Sequence, residues 1–221
     1  MKYKAIFSNL NGTINTEVED LIESSSDYFY PIIIDGVIIE TDGFEELSID
    51  NPEQYSENQL TRFDYDIQYP YKDKAKKLLV LKNYQLKTLI PIHILEIKSG
   101  KRIETEIQIT MTRNEKSVKR ACSLLGVISE NFDMEVAFGE VQSKLAACYR
   151  METCSNCKNS FWNPYGGSDF FNQLCFKKEA KAFQAIQDKD KMAVVHFMKY
   201  DDDKNFQNVR LTDYCEKFEP R

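Results

Sequence analysis

Four cysteines in the last third of the chain place the strongest constraint on its fold. Cys154 and Cys157 form a CxxC pair, and Cys175 and Cys215 follow as single residues after longer spacers. Two residues between cysteines allow both thiolates to reach one ion from a single turn. Four thiolates suit tetrahedral zinc, and they also suit an iron–sulfur cluster. The sequence therefore predicts one structural metal site at these four residues, with zinc as the metal and an iron–sulfur cluster as the alternative.

The first residues of the chain favour a cytoplasmic location. Met1 to Phe7 includes basic residues, but Asn9, Asn11 and Gly12 follow at once, so no secretory signal is expected. No stretch reaches the ~18 uninterrupted apolar residues of a membrane-spanning helix, and no membrane association is expected. In a reducing compartment, clustered cysteines indicate metal binding or redox chemistry rather than disulfides.

Two other interpretations of the CxxC pair compete with metal binding. Free cysteines can pack as small apolar residues, and Cys122 and Cys148 are predicted to do so in the core. A redox CxxC opens a helix, but the residues that follow Cys154 have no helical pattern. His196 could replace one cysteine as a ligand, although its apolar neighbours favour a packed histidine.

Residues 1–112 have the patterns of an antiparallel sheet or sandwich. Between Tyr28 and Glu40, two apolar runs flank Asp35-Gly36, a pair that takes the positive φ angles of a tight hairpin turn. Residues 86–97 alternate apolar with polar residues, Ser99-Gly100-Lys101 turns the chain, and residues 103–110 alternate again. Two β-hairpins are therefore predicted.

The apolar period changes to that of a helix after Asn114. Val118, Ala121, Cys122 and Leu125 recur at helical spacing, which predicts a helix over residues 115–129 with Asn114 as its N-cap. A strand is predicted over 145–151 and a helix over 178–186. Residues 189–199 match either a helix or a buried strand, and a helix capped by Asp188 or Asp190 is preferred. The expected fold class is α+β: a β-rich domain (1–112), a helix with a connecting strand (113–152), and a four-cysteine metal-binding module (153–221).

The charge of the chain argues against nucleic acid as a partner. The 221 residues carry a formal net charge of −6, so most of the surface repels phosphate. A cluster of lysines is the best candidate for a basic patch, and it lacks the interleaved aromatic residues of a single-strand platform. A solvated face is the preferred interpretation of these lysines, which are Lys72, Lys74, Lys76, Lys77 and Lys82.

The motifs around the cysteines resemble those of an uncharacterised bacterial cysteine-tetrad family. That family combines a CxxC, an Asn-Pro-Tyr-Gly loop, a Cys-Phe and a closing Tyr-Cys-x-x-Phe-x-Pro. The matching residues are Cys154 and Cys157, the loop 163–167, Cys175-Phe176, and the segment from Tyr214 to Pro220. The resemblance covers about the last third of the chain. It implies a metal bound by the four cysteines, and it implies no activity.

The loop at residues 163–167, Asn-Pro-Tyr-Gly-Gly, has two interpretations. Asn-Pro starts a turn, and the glycines allow conformations closed to other residues, so the loop can return the chain to a metal centre. Glycine-rich backbone can also cradle an anion. No Lys-Ser/Thr pair follows, so a phosphate loop is excluded and the structural interpretation is preferred.

Catalytic signatures are absent from the sequence. Paired carboxylates, such as Asp64 and Asp66 or Asp201 to Asp203, suit a solvated acidic surface as well as acid–base chemistry. No glycine-flanked serine and no His-Glu-x-x-His motif occurs. A zinc ion with four cysteine ligands leaves no position for a reactive water. Whether the protein is an enzyme stays open, and a non-enzymatic role is favoured.

The leading functional hypothesis is a zinc-stabilised bacterial protein that acts by binding another protein. An immunity-type inhibitor of a toxin is one version, because acidic inhibitors mask basic surfaces by charge complementarity. The alternatives are an enzyme or small-ligand binder that uses a cleft between the β domain and the metal module, and an iron–sulfur protein. The sequence does not predict an oligomeric state.

Overall fold

The fold is known from a computed structural model, which describes residues 2–19, 31–42, 46–70, 76–162, 173–186, 191–199, 207–209, 212–215 and 218–220. The chain divides into two compact units. The first comprises Met1–Ile90 and Ile107–Phe132, and the second comprises Pro91–Glu106 and Asp133–Arg221. The predicted ranges 1–112, 113–152 and 153–221 follow chain order, whereas the second unit takes residues 91–106 from within the first range.

The largest sheet among the described residues is antiparallel, and eleven of its strands follow one another across it. These are β1 Lys2–Asn9, β2 Gly12–Glu19, β3 Ile32–Ile34, β4 Val37–Asp42, β5 Glu46–Ile49, β6 Asp64–Gln68, β7 Leu78–Lys82, β8 Tyr84–Glu96, β9 Lys101–Arg113, β10 Val118–Leu124 and β11 Val127–Ser129. Their order across the sheet is β11-β10-β9-β8-β1-β2-β3-β4-β5-β7-β6. Between β5 and β6 lie a 3₁₀ turn, Pro52–Gln54, and the single-turn helix α1, Glu57–Leu60.

One face of this sheet is apolar because buried and more exposed side chains alternate along its strands. In β8, Tyr84, Leu86, Thr88 and Ile90 are buried, and the residues between them are half-buried. Phe7 of β1 lies on the same core face, stacked against the Tyr84 ring at 5.9 Å between ring centroids. Burial of large aromatic side chains provides much of the stabilisation of a sheet face.

The Asp35-Gly36 hairpin prediction is confirmed. Ile34 and Val37 pair directly across the turn, so β3 and β4 are joined by only two residues. Asp35 has φ 50° and Gly36 has φ 78°, the left-handed angles that a two-residue turn between twisted strands requires. Glycine takes such angles without strain, and aspartate tolerates them better than most residues.

The predicted helix over 115–129 is wrong. This segment forms β10 and β11, and the turn Leu125-Gly126 between them has φ angles of 51° and 80°. Asn114 does not cap a helix. Its side-chain oxygen accepts hydrogen bonds from the backbone N–H groups of Lys116 and Ser117, both at 2.9 Å, and so forms an Asx turn between β9 and β10.

The second unit contains the long helix of the chain and several short elements. These are α2 Met134–Leu145, β12 Tyr149–Met151, β13 Ser160–Trp162, β14 Gln173–Cys175, α3 Ala180–Gln184, α4 Lys191–Lys199 and β15 Gln207–Val209. Asp133 caps α2 by accepting from the backbone N–H groups of Glu135 and Val136. The helices predicted over 178–186 and 189–199 are confirmed as α3 and α4, whereas the strand predicted over 145–151 is reduced to β12.

Two sets of contacts organise the second unit around these elements. β12 pairs with the far end of β8, Arg150 opposite Leu95, while β14 lies between β13 and β15 in a separate three-stranded sheet. Phe176 and Phe183 stack at 4.2 Å between ring centroids in a small apolar core. No helix among the described residues is long and apolar enough to cross a membrane.

The α+β fold class is therefore wrong. Among the described residues, those in strands far outnumber those in helices, and the dominant element is a large, curled antiparallel sheet. The helix predicted over residues 115–129 led to the wrong fold class. Apolar and small residues in a strand can also match helical spacing over a short window. The cysteines lie in a unit that also includes residues 91–106 of β8 and β9, not in a separate C-terminal module.

Two carboxyl groups and a lysine form a titratable cluster in the first unit. Asp50 accepts hydrogen bonds from Lys76 at 2.7 Å and from Ser48 at 3.0 Å. Burial raises the pKa of Asp50, but these hydrogen bonds outweigh it and lower the pKa overall. Burial, and then the neighbouring Asp50 charge, raise the pKa of Glu40 to about 7.

We expect Glu40 to make stability depend on pH. A carboxyl with a raised pKa holds its proton in the folded state, so stability falls as pH rises from about 5 through 7. Because Glu40 is half-exposed, the loss should be about 1 kcal/mol. Urea unfolding at several pH values should show this slope, and Glu40→Gln should flatten it. Glu53→Gln, an exposed control, should retain it; an equal slope in both variants would contradict the assignment.

Candidate metal centre

The CxxC pair lies in a tight turn of the second unit. Cys154 begins a 3₁₀ turn that ends at Asn156, and the backbone N–H of Cys157 donates to the Cys154 carbonyl at 3.1 Å. A hydrogen bond of this span brings the ends of a Cys-x-x-Cys segment close together. Both cysteines are buried, each 5% exposed. The turn thus presents two buried thiols from adjacent positions.

Ser160 stabilises this turn through hydrogen bonds. Its hydroxyl lies within hydrogen-bond distance of the Cys154 carbonyl and at 3.0 Å from the Cys157 carbonyl. The backbone N–H of Ser160 also donates to the Cys157 carbonyl at 3.2 Å. The buried serine hydroxyl thus adds a second hydrogen-bond donor to two carbonyls that each already accept from a backbone N–H.

Cys175 reaches the same place from β14. Ser160 and Cys175 are opposite each other in the β13–β14 pair, and the Phe176 N–H donates to the Asn159 carbonyl at 2.8 Å. The backbone N–H of Lys177 hydrogen-bonds to the Cys175 thiol. A backbone N–H that lies two residues after a cysteine and donates to its sulfur stabilises the thiolate form.

Cys215 is brought in by the C-terminal segment. The N–H of Cys154 donates to the Asp213 carbonyl at 2.9 Å, and the N–H of Lys158 donates to the Glu219 carbonyl at 2.8 Å. Cys157 forms an antiparallel bridge with Pro220. These contacts run the end of the chain alongside the CxxC turn on both sides of Cys215.

Tyr214 anchors the same segment on the hairpin of β8 and β9. Its ring lies 4.4 Å from the His93 ring, between centroids, and 6.0 Å from the guanidinium carbon of Arg102. Arg102 in turn donates from Nε to Glu152 at 2.8 Å, and Glu152 is only 2% exposed. The buried carboxylate fixes the arginine, and the arginine and histidine hold the tyrosine that precedes Cys215.

All four cysteines line one small cavity. Its volume is about 10 Å³, close to the space that a single water-sized sphere occupies. Asn159, Lys177, Asp213 and Phe218 complete its wall. The structure thus places the four candidate ligands, which are Cys154, Cys157, Cys175 and Cys215, around a common space.

The surroundings of two of the thiols, Cys154 and Cys175, favour their neutral form. Burial is the main cause that raises the pKa of the Cys154 thiol, and Asp213 and the other three cysteines raise it further. Burial also raises the pKa of Cys175, against the opposing effect of Lys177. A metal ion reverses this balance, because a coordinating thiol loses its proton.

The side chains are close without being in coordination geometry. Among the residues that the structure describes, no three His, Cys, Asp or Glu side chains form a metal-binding group. The shared cavity and the mutual influence of the cysteines show that they are neighbours. The arrangement has the donor set and the space for one ion, whereas its sulfurs would have to turn inward to bind it.

Other residues singled out in the sequence do not join this site. Cys122 is buried in β10, as predicted, but the prediction that Cys148 lies in the core is wrong, because it is exposed. His196 is exposed on α4 and does not line the cavity. The loop 163–167 and the carboxylates Asp201 to Asp203 lie outside the described residues.

The sequence patterns did not reveal that Arg102, Glu152 and His93 support the site. Glu152 lies two residues before Cys154, and a charged residue so close to the CxxC pair was the available signal. The partner of that charge, Arg102, is distant in the chain, so no spacing rule could reveal the pair.

Comparison with known proteins adds no relative. No family model matches the chain, and neither a curated protein nor a solved structure matches it. The resemblance to the cysteine-tetrad family stays a prediction that rests on the motifs alone.

We expect Ser160→Ala to destabilise the protein by about 1–3 kcal/mol, because two buried carbonyls lose a hydrogen-bond donor. Urea unfolding measures the change in free energy. Ser99→Ala, in the exposed turn between β8 and β9, serves as the matched control and should cost much less. Equal effects of the two substitutions would show that Ser160 does not support the cysteine turn.

Proposed function

We propose that the protein binds one zinc ion through Cys154, Cys157, Cys175 and Cys215, and that this ion has a structural, non-catalytic role. The observation that carries the proposal is the convergence of the four thiols on one cavity of about 10 Å³. Three separate stretches of chain supply them. Four thiolates would complete a tetrahedral shell and leave no site for a reactive water.

The cavity supports a single ion over an iron–sulfur cluster. Both groups use four cysteines, but a cluster places several atoms between the sulfurs, whereas the space here accommodates about one water-sized sphere. Four thiolates around a divalent cation carry a net negative charge. Lys177, which lines the cavity, lies where it reduces that charge.

The ion would hold the C-terminal segment against the CxxC turn. Cys215 is half-buried, and the described residues 213–215 and 218–220 meet the CxxC turn through a few backbone hydrogen bonds. Such a short, irregular segment buries little apolar surface of its own. Metal coordination would supply the free energy that orders it, as in other small metal-organised folds.

The proposed role of the folded protein is to bind another protein in the bacterial cytoplasm. The chain is acidic, with a net charge of −6, which favours a basic partner surface. An immunity-type inhibitor of a toxin is the concrete version. Among the candidate basic residues, Lys76 pairs with Asp50 and Lys82 with Asp66, so these lysines are not free to bind a phosphate backbone.

We expect purified protein to contain one zinc ion per chain, measured by elemental analysis, and to be colourless. Cys215→Ser should weaken zinc binding by at least about 100-fold in a chelator competition, because the shell loses one thiolate. Cys148→Ser makes the same chemical change at an exposed cysteine outside the cavity and should leave zinc binding unchanged.

Two results would contradict the metal proposal. Brown protein with visible absorbance and bound iron would assign an iron–sulfur cluster instead. Protein purified without chelator that contains no metal, and that binds no added zinc, would leave four neighbouring thiols with no shared cation.

The protein-binding role predicts a partner with a basic surface. Affinity purification from a bacterial host that encodes this chain should recover a protein whose binding weakens as salt increases, because the attraction is between opposite charges. A comparison with the Cys215→Ser variant, stripped of zinc by a chelator, tests whether the metal-bound C-terminal segment contributes to partner binding. Recovery of no protein, or binding that does not change with salt, would count against the electrostatic version.

A further inference from the structure

A second cavity lies entirely within the first unit and takes no part in the metal site. Its volume is about 460 Å³, within the range of sites that bind small molecules. Strands β8, β9 and β10 and the segment after β11 supply its walls. The residues that matter for its chemistry are Gln85, Thr110, Thr112, Lys119, Glu130 and Phe132.

Phe132 provides an apolar, planar surface at this cavity. Its side chain is 52% exposed, although phenylalanine is usually buried. The guanidinium of Arg120 stacks on one face, 4.0 Å from the ring centroid, and donates to the Phe132 carbonyl at 3.1 Å. Arg120 is itself only 3% exposed, so it holds the ring in place and leaves the other face to a ligand.

Lys119 and Glu130 place opposite charges on the same cavity. Both side chains are exposed, and neither forms a salt bridge with any residue that the structure describes. They do not pair with each other, although oppositely charged neighbours commonly do so. A ligand that carries both charges would satisfy the two residues at once.

The threonine hydroxyls complete the cationic side of the cavity. Thr112 is directly opposite Lys119 in the β9–β10 pair, and Thr110 is opposite Ala121. Thr112 accepts a hydrogen bond from Gln85 at 3.2 Å, and Thr110 accepts one from Gln108 at 3.1 Å. Each hydroxyl can therefore still donate its own hydrogen, as a carboxylate requires.

We propose that this cavity binds a small zwitterion with a planar apolar group, the chemistry of a free aromatic amino acid. The carboxylate contacts Lys119 and the threonine hydroxyls, the ammonium contacts Glu130, and the ring stacks on the open face of Phe132. This activity is separate from zinc binding and from protein binding.

Three probes of the same carbon skeleton test the proposal by calorimetric titration of the full-length protein. L-Phenylalanine carries both charges, 3-phenylpropionate lacks the ammonium, and phenethylamine lacks the carboxylate. L-Phenylalanine should bind more tightly than either of the others, by about fivefold for each missing charge.

Substitutions should separate the two charged contacts. Lys119→Gln should weaken the binding of L-phenylalanine and 3-phenylpropionate about fivefold and leave the binding of phenethylamine unchanged. Glu130→Gln should instead weaken the binding of phenethylamine and leave that of 3-phenylpropionate unchanged. Phe132→Leu should weaken all three. Lys98→Gln, an exposed lysine of the second unit, is the control and should change none of them.

Folding of each variant is checked by its unfolding midpoint and zinc content. The Lys119 and Glu130 substitutions, at exposed positions, should leave both unaltered, whereas Phe132→Leu loses the stacking of Arg120 and should lower the midpoint slightly without changing the zinc content. The proposal is overturned if none of the probes binds at ~10 mM, roughly the weakest affinity of interest. It is equally overturned if the three probes bind alike, or if Lys119→Gln and Glu130→Gln weaken all probes to the same extent.

Discussion

Backbone hydrogen bonds between the CxxC turn and the end of the chain are the contacts on which the second unit depends. The Cys154 N–H reaches the Asp213 carbonyl, and the Lys158 N–H reaches the Glu219 carbonyl. Because Cys215 lies between those two acceptors in the chain, the contacts bring a distant cysteine next to a local pair. The buried Glu152 and its partner Arg102 then fix the position of Tyr214, which directly precedes Cys215 in the chain.

The burial of Cys154 beside three other cysteines has an energetic consequence. Burial and mutual proximity raise the pKa of Cys154, so this thiol favours its neutral form when no cation is bound. A divalent cation would make the close approach of the four cysteines stabilising, since its positive charge compensates the negative charges of the thiolates. In the first unit, the apolar face of the sheet, with Phe7 stacked on Tyr84, forms the core.

Local sequence rules succeeded where backbone chemistry decides the structure and failed where packing decides it. Asp35-Gly36 predicted a turn correctly because left-handed φ angles are a property of those two residues. Residues 115–129 misled because Asn114 can start either a helix or an Asx turn, and because Val118, Ala121, Cys122 and Leu125 match helical spacing by coincidence. Pairing with β9 decided between these two outcomes, and that partner is not local in sequence.

The sequence alone determined the donor set of the candidate metal site, the Asp35-Gly36 turn and the helices α3 and α4, since each depends on residue types at short spacing. Tertiary structure decided that residues 91–106 join the second unit, that Cys148 is exposed, and that Arg102 meets Glu152. It also placed Lys119, Glu130 and Phe132 around one cavity. These outcomes depend on sheet register and on pairing between distant segments, which the free energy of the whole fold selects and no short window of sequence contains.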